Sequence, residues 1–136
     1  MKIAVAGSIA RDHLMTFPGN FTDSLVADSL ENLSLSFLVD GLEVRRGGTG
    51  ANISFGLGQL GVKPYLISSA GTDFQEYEAW LNRHGVDTSH VRISQNLLTA
   101  TFSCTTDQNQ RQIASFFPGA RSEEHTSELQ SQSTIS

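Results

Sequence analysis

RRGGTGANIS, residues Arg45 to Ser54, puts two adjacent glycines and an asparagine where a strand gives way to a helix. Before it, Leu33 to Val44 alternates apolar and polar residues, the period of an exposed-face strand pair, with Asp40-Gly41 as the hairpin turn. After it, Ala51 to Leu60 predicts a helix that buries Ile53, Leu57 and Leu60. Gly47 and Gly48 let the backbone come within contact distance of a ligand, since no Cβ intervenes. Asn52, in the first helical turn, offers that space a donor and an acceptor. On local chemistry alone, a tight turn with an N-terminal Asn explains the same residues equally well.

Working outward, Lys2 to Ile9 is a short continuous apolar run and predicts a buried parallel-type strand, central in its sheet. His13 to Phe17 alternates and ends at the turn Pro18-Gly19. Phe21 to Asn32 carries Leu25, Val26, Leu30 and Leu33 at helical spacing, with Thr22 or Asp23 as N-cap. Pro64 to Ala70 predicts a buried strand, and Gly71 to His84 a helix ended by Gly85. Thr99 to Thr106 and Gln110 to Phe117 predict paired strands across the polar turn DQNQ. This order implies an α/β layer fold with a second, small sheet. Gly56 and Gly58 inside a helix each cost about 1 kcal/mol relative to Ala, which points to close packing there.

Two motifs need weighing for chemistry. GLGQLG, Gly56 to Gly61, satisfies the dinucleotide pattern G-x-G-x-x-G. It ends a predicted helix, whereas phosphate binding needs the free N–H groups of a helix start, so that function is set aside. Asp12 follows the first strand, where open α/β sheets place ligand groups, and its carboxylate could accept hydrogen bonds from paired hydroxyls. A helix cap or a surface charge accounts for Asp12 as well.

Composition narrows the function classes. The formal net charge of -5 gives no electrostatic case for nucleic acid or an anionic membrane. The one cysteine, Cys104, excludes an intramolecular disulfide and a multi-cysteine zinc site. The start MKIAVAGSIARDH has too short an apolar run for a signal peptide or a span. The chain reads as soluble and cytoplasmic.

Gly47-Gly48-Thr49-Gly50-Ala51-Asn52-Ile53-Ser54, then Gly61 after six residues and Gly71 after nine more, resembles the N-terminal signature of the ribokinase-like (PfkB) kinases of sugars and nucleosides at every fixed position. The wider text VAGSIARDHLMTFPG, LSLSFLVDGLEVRRGG, TATFSCTTD and QIASFFPGA is similar to the bacterial adenosine kinases of the actinobacterial type, over Met1 to Ala120. The resemblance implies the N-terminal part of a ribokinase-like α/β sandwich with a small β-sheet lid. It implies ATP-dependent phosphorylation of a nucleoside, adenosine at its ribose 5′-hydroxyl, in purine salvage, with Mg²⁺. It implies that Asp12 accepts the ribose hydroxyls and that Gly48 and Asn52 complete the sugar pocket. Ser8 and Ser36 fall at nucleoside contacts, and Phe102 and Phe116 at an aromatic sandwich for the purine, although core packing explains either Phe too. Another sugar or nucleoside kinase such as ribokinase, or a non-catalytic fragment pairing through its lid strands as a homodimer, are the alternatives.

The family's second signature, D-T-x-G-A-G-D, which carries the general base and the anion hole, is absent from these residues. Asp73 and Asp107 have no motif that would make either the base. RSEEHTSELQS, Arg121 to Ser131, resembles the codon-for-codon translation of a short-read sequencing adapter. The expectation is therefore a kinase piece over residues 1–120, followed by a non-native, disordered tail over 121–136. Without that tail the net charge is -3, and the chain itself is expected to be inactive and marginally folded.

Overall fold

The computed structural model describes residues 2–25 and 27–126. In chain order the strands are β1 (Ala4–Ala6), β2 (Ala10–Thr16), β3 (Gly41–Gly47), β4 (Tyr65–Ala70), β5 (Val91–Ile93), β6 (Ala100–Thr106) and β7 (Gln112–Phe117). The α-helices are α1 (Thr49–Gln59) and α2 (Gln75–Arg83), and Phe21–Ser24, Ala27–Asn32 and Gly119–Thr126 are 3-10 helices. Residue contacts divide the chain into two compact units. The first comprises Met1–Arg11, Arg46–Thr101 and Phe117–Ser136, and the second Asp12–Arg45 and Phe102–Phe116.

The first unit is built on a parallel sheet in the order β1-β4-β5. Parallel neighbours need crossovers, and the helical segments between these strands supply them. Val5 pairs with Leu66, and Ser69 with Arg92. β4 is the central strand, with a neighbour on each side, and Leu66 and Ala70 are fully buried. The core gathers Val5, Ile9, Ala51, Leu66, Ala70, Phe74, Tyr77, Leu81, Val86 and Val91, with Phe55, Leu57 and Trp80 packed against it.

Three expectations for this unit change. The first strand covers Ala4–Ala6 and lies at the edge of its sheet. It stops because the backbone leaves the ladder after Gly7, and Ser8 turns its carbonyl to the N–H of Ala51. Ile53 in α1 and Leu60 at its C-cap are exposed, and Gly50, Ala51 and Ser54 are the buried residues of the helix. The helix approaches the sheet too closely for large side chains: a Cβ on Gly50 would stand 2.5 Å from the carbonyl carbon of Gly7. β5 was not foreseen, since three residues show no period. The helix ending at Gly85 stands, with φ +87° there.

The second unit holds most of a four-stranded sheet in the order β3-β2-β6-β7. β6 and β7 form the expected hairpin. Its turn is organised by Asp107, whose Oδ1 accepts the N–H groups of Asn109 and Arg111, both at 2.9 Å, and whose Oδ2 accepts that of Phe21 at 3.0 Å. Phe17, Phe21 and Phe37 make an aromatic cluster with centroids 4.9 to 5.7 Å apart, a spacing that rewards ring contact beyond burial.

Here too the sequence reading is corrected. Phe21 to Asn32 is two 3-10 helices, not an α-helix, because Leu25, Leu30 and Leu33 are exposed and provide no buried stripe; Val26 lies outside the described residues. The expected strand pair over Leu33 to Val44 reduces to β3, which starts at Gly41. The residues before it are drawn off the ladder where Phe37 joins the aromatic cluster. In the first unit, residues 121–126 fall in the 3-10 helix Gly119–Thr126, which leaves the expectation of a non-native tail over 121–136 untouched, and 127–136 lies outside the described residues.

The two glycines of α1 that differ most in surroundings should respond oppositely to alanine. Gly50→Ala drives a methyl into the Gly7 backbone and should destabilise by about 1–3 kcal/mol. A Cβ on Gly56 would meet nothing within 4 Å, so Gly56→Ala should stabilise by roughly 0.5–1 kcal/mol. Urea melts of the two variants check the pair, and equal shifts would refute the close approach of α1 to β1.

Asp107 gives a pH-dependent expectation. Burial would raise its carboxyl, but the N–H groups of Phe21, Arg111 and Asn109, with the Arg111 charge, hold it below the ordinary carboxylate range. Such a group stabilises the fold above the unfolded-state pKa, about 4 for Asp, and loses that contribution as pH falls through its depressed folded value. Asp107→Asn should therefore destabilise at neutral pH, and the gap from the unsubstituted chain should narrow in acid. Melting temperatures at pH 7 and pH 3 measure it, and a gap independent of pH would contradict this role.

Candidate functional site

In the first unit the glycine loop is defined by contact on both sides. Gly48, with φ +97°, is the N-cap of α1, and a Cβ there would stand 2.5 Å from the carbonyl oxygen of Ser8 and 2.6 Å from Cα of Ile9. Both the dihedral and the space require glycine. Gly48 has no side chain to cap the helix, and Ser8 substitutes: its Oγ accepts the N–H of Thr49 at 3.0 Å, and its carbonyl that of Ala51 at 3.1 Å. Ser8 and Gly48 are thus brought together, and Ser8 is buried and engaged with the helix start. Asn52 is exposed in the first turn, where its backbone N–H donates to the Gly48 carbonyl.

GLGQLG occupies the opposite end of α1. The N–H of Leu60 donates to the Gly56 carbonyl, that of Gly61 to the Gly58 carbonyl, and Gly61 has φ +82°. This is a helix C-terminus, which presents carbonyls and repels phosphate. A Cβ on Gly58 would meet the His84 carbonyl at 2.1 Å, so that glycine does serve packing, whereas Gly56 does not.

Several polar groups of the first unit escaped the sequence reading. Tyr77 of α2 donates its hydroxyl to the Gly47 carbonyl at 2.7 Å. Arg46 lies over the Trp80 ring, 4.7 Å from its centroid, and pairs with Glu76. Asp73 Oδ1 accepts both the N–H of Thr99, at 2.8 Å, and its hydroxyl, at 2.6 Å, while Arg11 donates to the Asp73 carbonyl. Burial would raise the Asp73 carboxyl, but these Thr99 bonds, its own backbone N–H and the Arg11 charge bring it below its ordinary value. The Thr99 oxygen in turn accepts the N–H of Gly71, the last glycine of the signature. No local motif announces such pairs, since they join residues 26 or more apart.

In the second unit, Asp12 lies within β2, not beyond the end of a parallel strand as its position after the first apolar run suggested. The chain has already crossed into the other sheet at Ala10. Burial raises the Asp12 carboxyl, and the charges of Arg45 and His13 offset this in part. Arg45, on neighbouring β3, is held by Glu43 through two bonds of 2.8 and 3.0 Å. Phe102 is half-buried on β6, Phe116 is 50 % exposed on β7, and Ser36 is exposed in the strandless stretch before β3. Among the described residues no group of three His, Cys, Asp or Glu could hold a metal ion, and no helix is long and apolar enough to cross a membrane.

The chain as a whole is similar to known proteins. The model of the pfkB family carbohydrate kinases matches residues 12–135. A nucleoside kinase of Methanothermobacter thermautotrophicus is 33% identical over 76 residues, 54% of this chain and 25% of that protein. The nucleoside kinase of Burkholderia thailandensis, solved in complex with inosine, is 33% identical with a TM-score of 0.69, over 91% of this chain and 38% of that one. The Methanocaldococcus jannaschii nucleoside kinase, an archaeal member of the ribokinase family, is 26% identical with a TM-score of 0.75, over 90% and 38%. The chain thus spans between a quarter and two fifths of the length of these relatives. The elements described here are those of a ribokinase-like α/β fold, and with most of its residues inside the family match, the chain belongs to the pfkB family of carbohydrate kinases.

Proposed function

We propose that the whole protein to which this chain belongs is an ATP-dependent purine nucleoside kinase, with adenosine as its substrate and AMP as its product. The observation that carries the reading is the glycine loop, where Gly48 is held against Ser8 and Ile9 at a φ that only glycine adopts readily. Family membership and the similarity to nucleoside kinases, one of them solved with inosine, support a nucleoside over a free sugar. The two aromatics Phe102 and Phe116 support it further, since base–aromatic stacking contributes roughly 1–3 kcal/mol per base.

In this reading the chain's residues bind and orient. Asp12 accepts the ribose hydroxyls, and Gly48 and Asn52 contribute backbone and amide contacts to the sugar. Ser8 and Ser36 contact the nucleoside, and Phe102 and Phe116 enclose the purine. The reaction joins the ribose 5′-oxygen to the γ-phosphorus as the bond to the ADP bridging oxygen breaks. Catalysis of such a transfer rests on positioning and charge stabilisation. Among the described residues no group of three His, Cys, Asp or Glu could hold a metal ion, and the residues for Mg²⁺ and the base that takes the hydroxyl proton are assigned outside residues 1–120. Residues 121–136 have no role in this function, in keeping with their adapter-like sequence.

The whole-length protein, assayed by coupled ADP release, should turn over with adenosine, less well with inosine, and poorly with ribose. A preference for ribose would reject the nucleoside reading. Loss of a hydrogen bond to a charged group costs about 1.5–3 kcal/mol, so Asp12→Ala should weaken adenosine binding at least about tenfold. Because burial raises the Asp12 carboxyl, affinity in the unsubstituted protein should begin to fall, on acidification, above the ordinary carboxylate range. Calorimetry across pH tests both points, and unchanged affinity in the variant removes Asp12 from the site.

A homodimer through the small sheet is also proposed. Among the described residues β7 is an edge strand, every residue of which is exposed, including Ile113. Exposed edge strands pair readily between chains. Sedimentation should show a dimer that Ile113→Lys disrupts, and a monomer at all concentrations would exclude it.

A further inference from the structure

Arg46 and Gly47 are held by three residues of one helix. Tyr77 is 1 % exposed, and its hydroxyl donates to the Gly47 carbonyl at 2.7 Å. Trp80 lies beneath the Arg46 guanidinium, and Glu76 pairs with the same group. Trp80 is itself stacked on Phe55 of α1, with ring centroids 4.3 Å apart, so this support is anchored in the core. Glu76, Tyr77 and Trp80 lie within little more than one turn of α2 and present one surface to the loop.

The consequence follows from peptide geometry. The Gly47–Gly48 peptide is trans, and a trans peptide is planar, with its C=O and N–H pointing in opposite directions. A hydroxyl that fixes the Gly47 carbonyl therefore also fixes the direction of the Gly48 N–H. Between two glycines nothing else in the local sequence would do so, since neither has a Cβ to restrict rotation. On its other side Gly48 rests on the backbone of Ser8, Ile9 and Ala10. We propose that Tyr77 is a positioning residue, which locks the Gly47–Gly48 peptide in the orientation that meets the sugar hydroxyls of the nucleoside, and that Arg46, braced by Glu76 and Trp80, is its outer strut. This rests on the reading of Gly48 as a substrate contact.

A tyrosine that merely satisfied its hydroxyl in the core would affect stability and nothing else. Kinetics separates the two roles. In the whole-length protein, Tyr77→Phe should raise the KM for nucleoside about tenfold, and Arg46→Gln about threefold, as expected for loss of one well-aligned hydrogen bond and of a partial support. The KM for ATP should not move, and kcat should stay within about twofold. Arg46 is at the surface, so its variant tests the clamp without disturbing the core. An unchanged nucleoside KM in Tyr77→Phe overturns the proposal. So does a loss of turnover that follows the melting temperature with nucleoside and ATP affected alike. Amide hydrogen exchange gives a readout independent of activity: in Tyr77→Phe the Gly48 and Thr49 amides should exchange faster while the rest of α1 is unaltered, and unaltered rates at both overturn the clamp. If the unsubstituted protein phosphorylates no nucleoside, the functional reading fails, and the exchange rates still decide whether Tyr77 holds the loop.

Discussion

The approach of α1 to the end of β1 is the constraint on which the first unit depends. Gly7 and Gly50 meet backbone to backbone, and two residues before Gly50, Gly48 rests on Ser8, Ile9 and Ala10. Contacts of this kind exclude any Cβ, so the sequence there can hold little but glycine. The approach also lets one serine do two jobs. Ser8 closes the chain's exit from the parallel sheet and caps the helix that begins across from it, with its carbonyl and hydroxyl each taking an orphan N–H. The helix start is therefore fixed by a residue distant in the chain and not by its own N-cap.

That dependence explains what was legible. The glycine signature, the α2 stop at Gly85 and the hairpin across Asp107 to Gln110 were readable because each is a local backbone requirement that restricts residue type. The buried face of α1 was not. Apolar periodicity named Leu57, which does pack on the core, with Ile53 and Leu60, which do not; a helix that packs by close approach turns its small residues inward, and Gly50, Ala51 and Ser54 carry no hydrophobic signal. The segment over residues 21–40 failed for a related reason. Leucines at helical spacing predict a helix only where something covers them, and there Phe21 and Phe37 are the residues drawn inward.

The candidate site was legible in part, and through the family signature more than through chemistry. Gly48, Asn52 and Asp12 stand at positions that the resemblance marks. Their supports do not. Tyr77, Arg46, Trp80 and the Asp73–Thr99 pair join distant segments, and a single sequence gives no sign of which tyrosine will find which carbonyl. Asp12 shows the opposite case, a residue whose type suggested a role while its element was misjudged. Only Gly7, Ser8 and Ile9 separate β1 from β2, so reading Lys2 to Ile9 as one strand hid the change of sheet.

Three partly or wholly enclosed aspartates in one chain permit a comparison that bears on function. Asp107 is surrounded by N–H donors from its own chain, and Asp73 by both donors of Thr99; each is held below its ordinary pKa despite burial. Carboxylates already satisfied in this way have little left to gain from a ligand, and they serve the fold. Asp12 differs in sign. Burial raises it, and the only opposing influences are the charges of Arg45 and His13. A carboxylate whose ionised form is disfavoured by its surroundings gains most when new donors arrive, and two adjacent sugar hydroxyls are donors of that kind. The three carboxylates thus differ in whether the fold supports their ionised form, and Asp12 is the one held above its ordinary value.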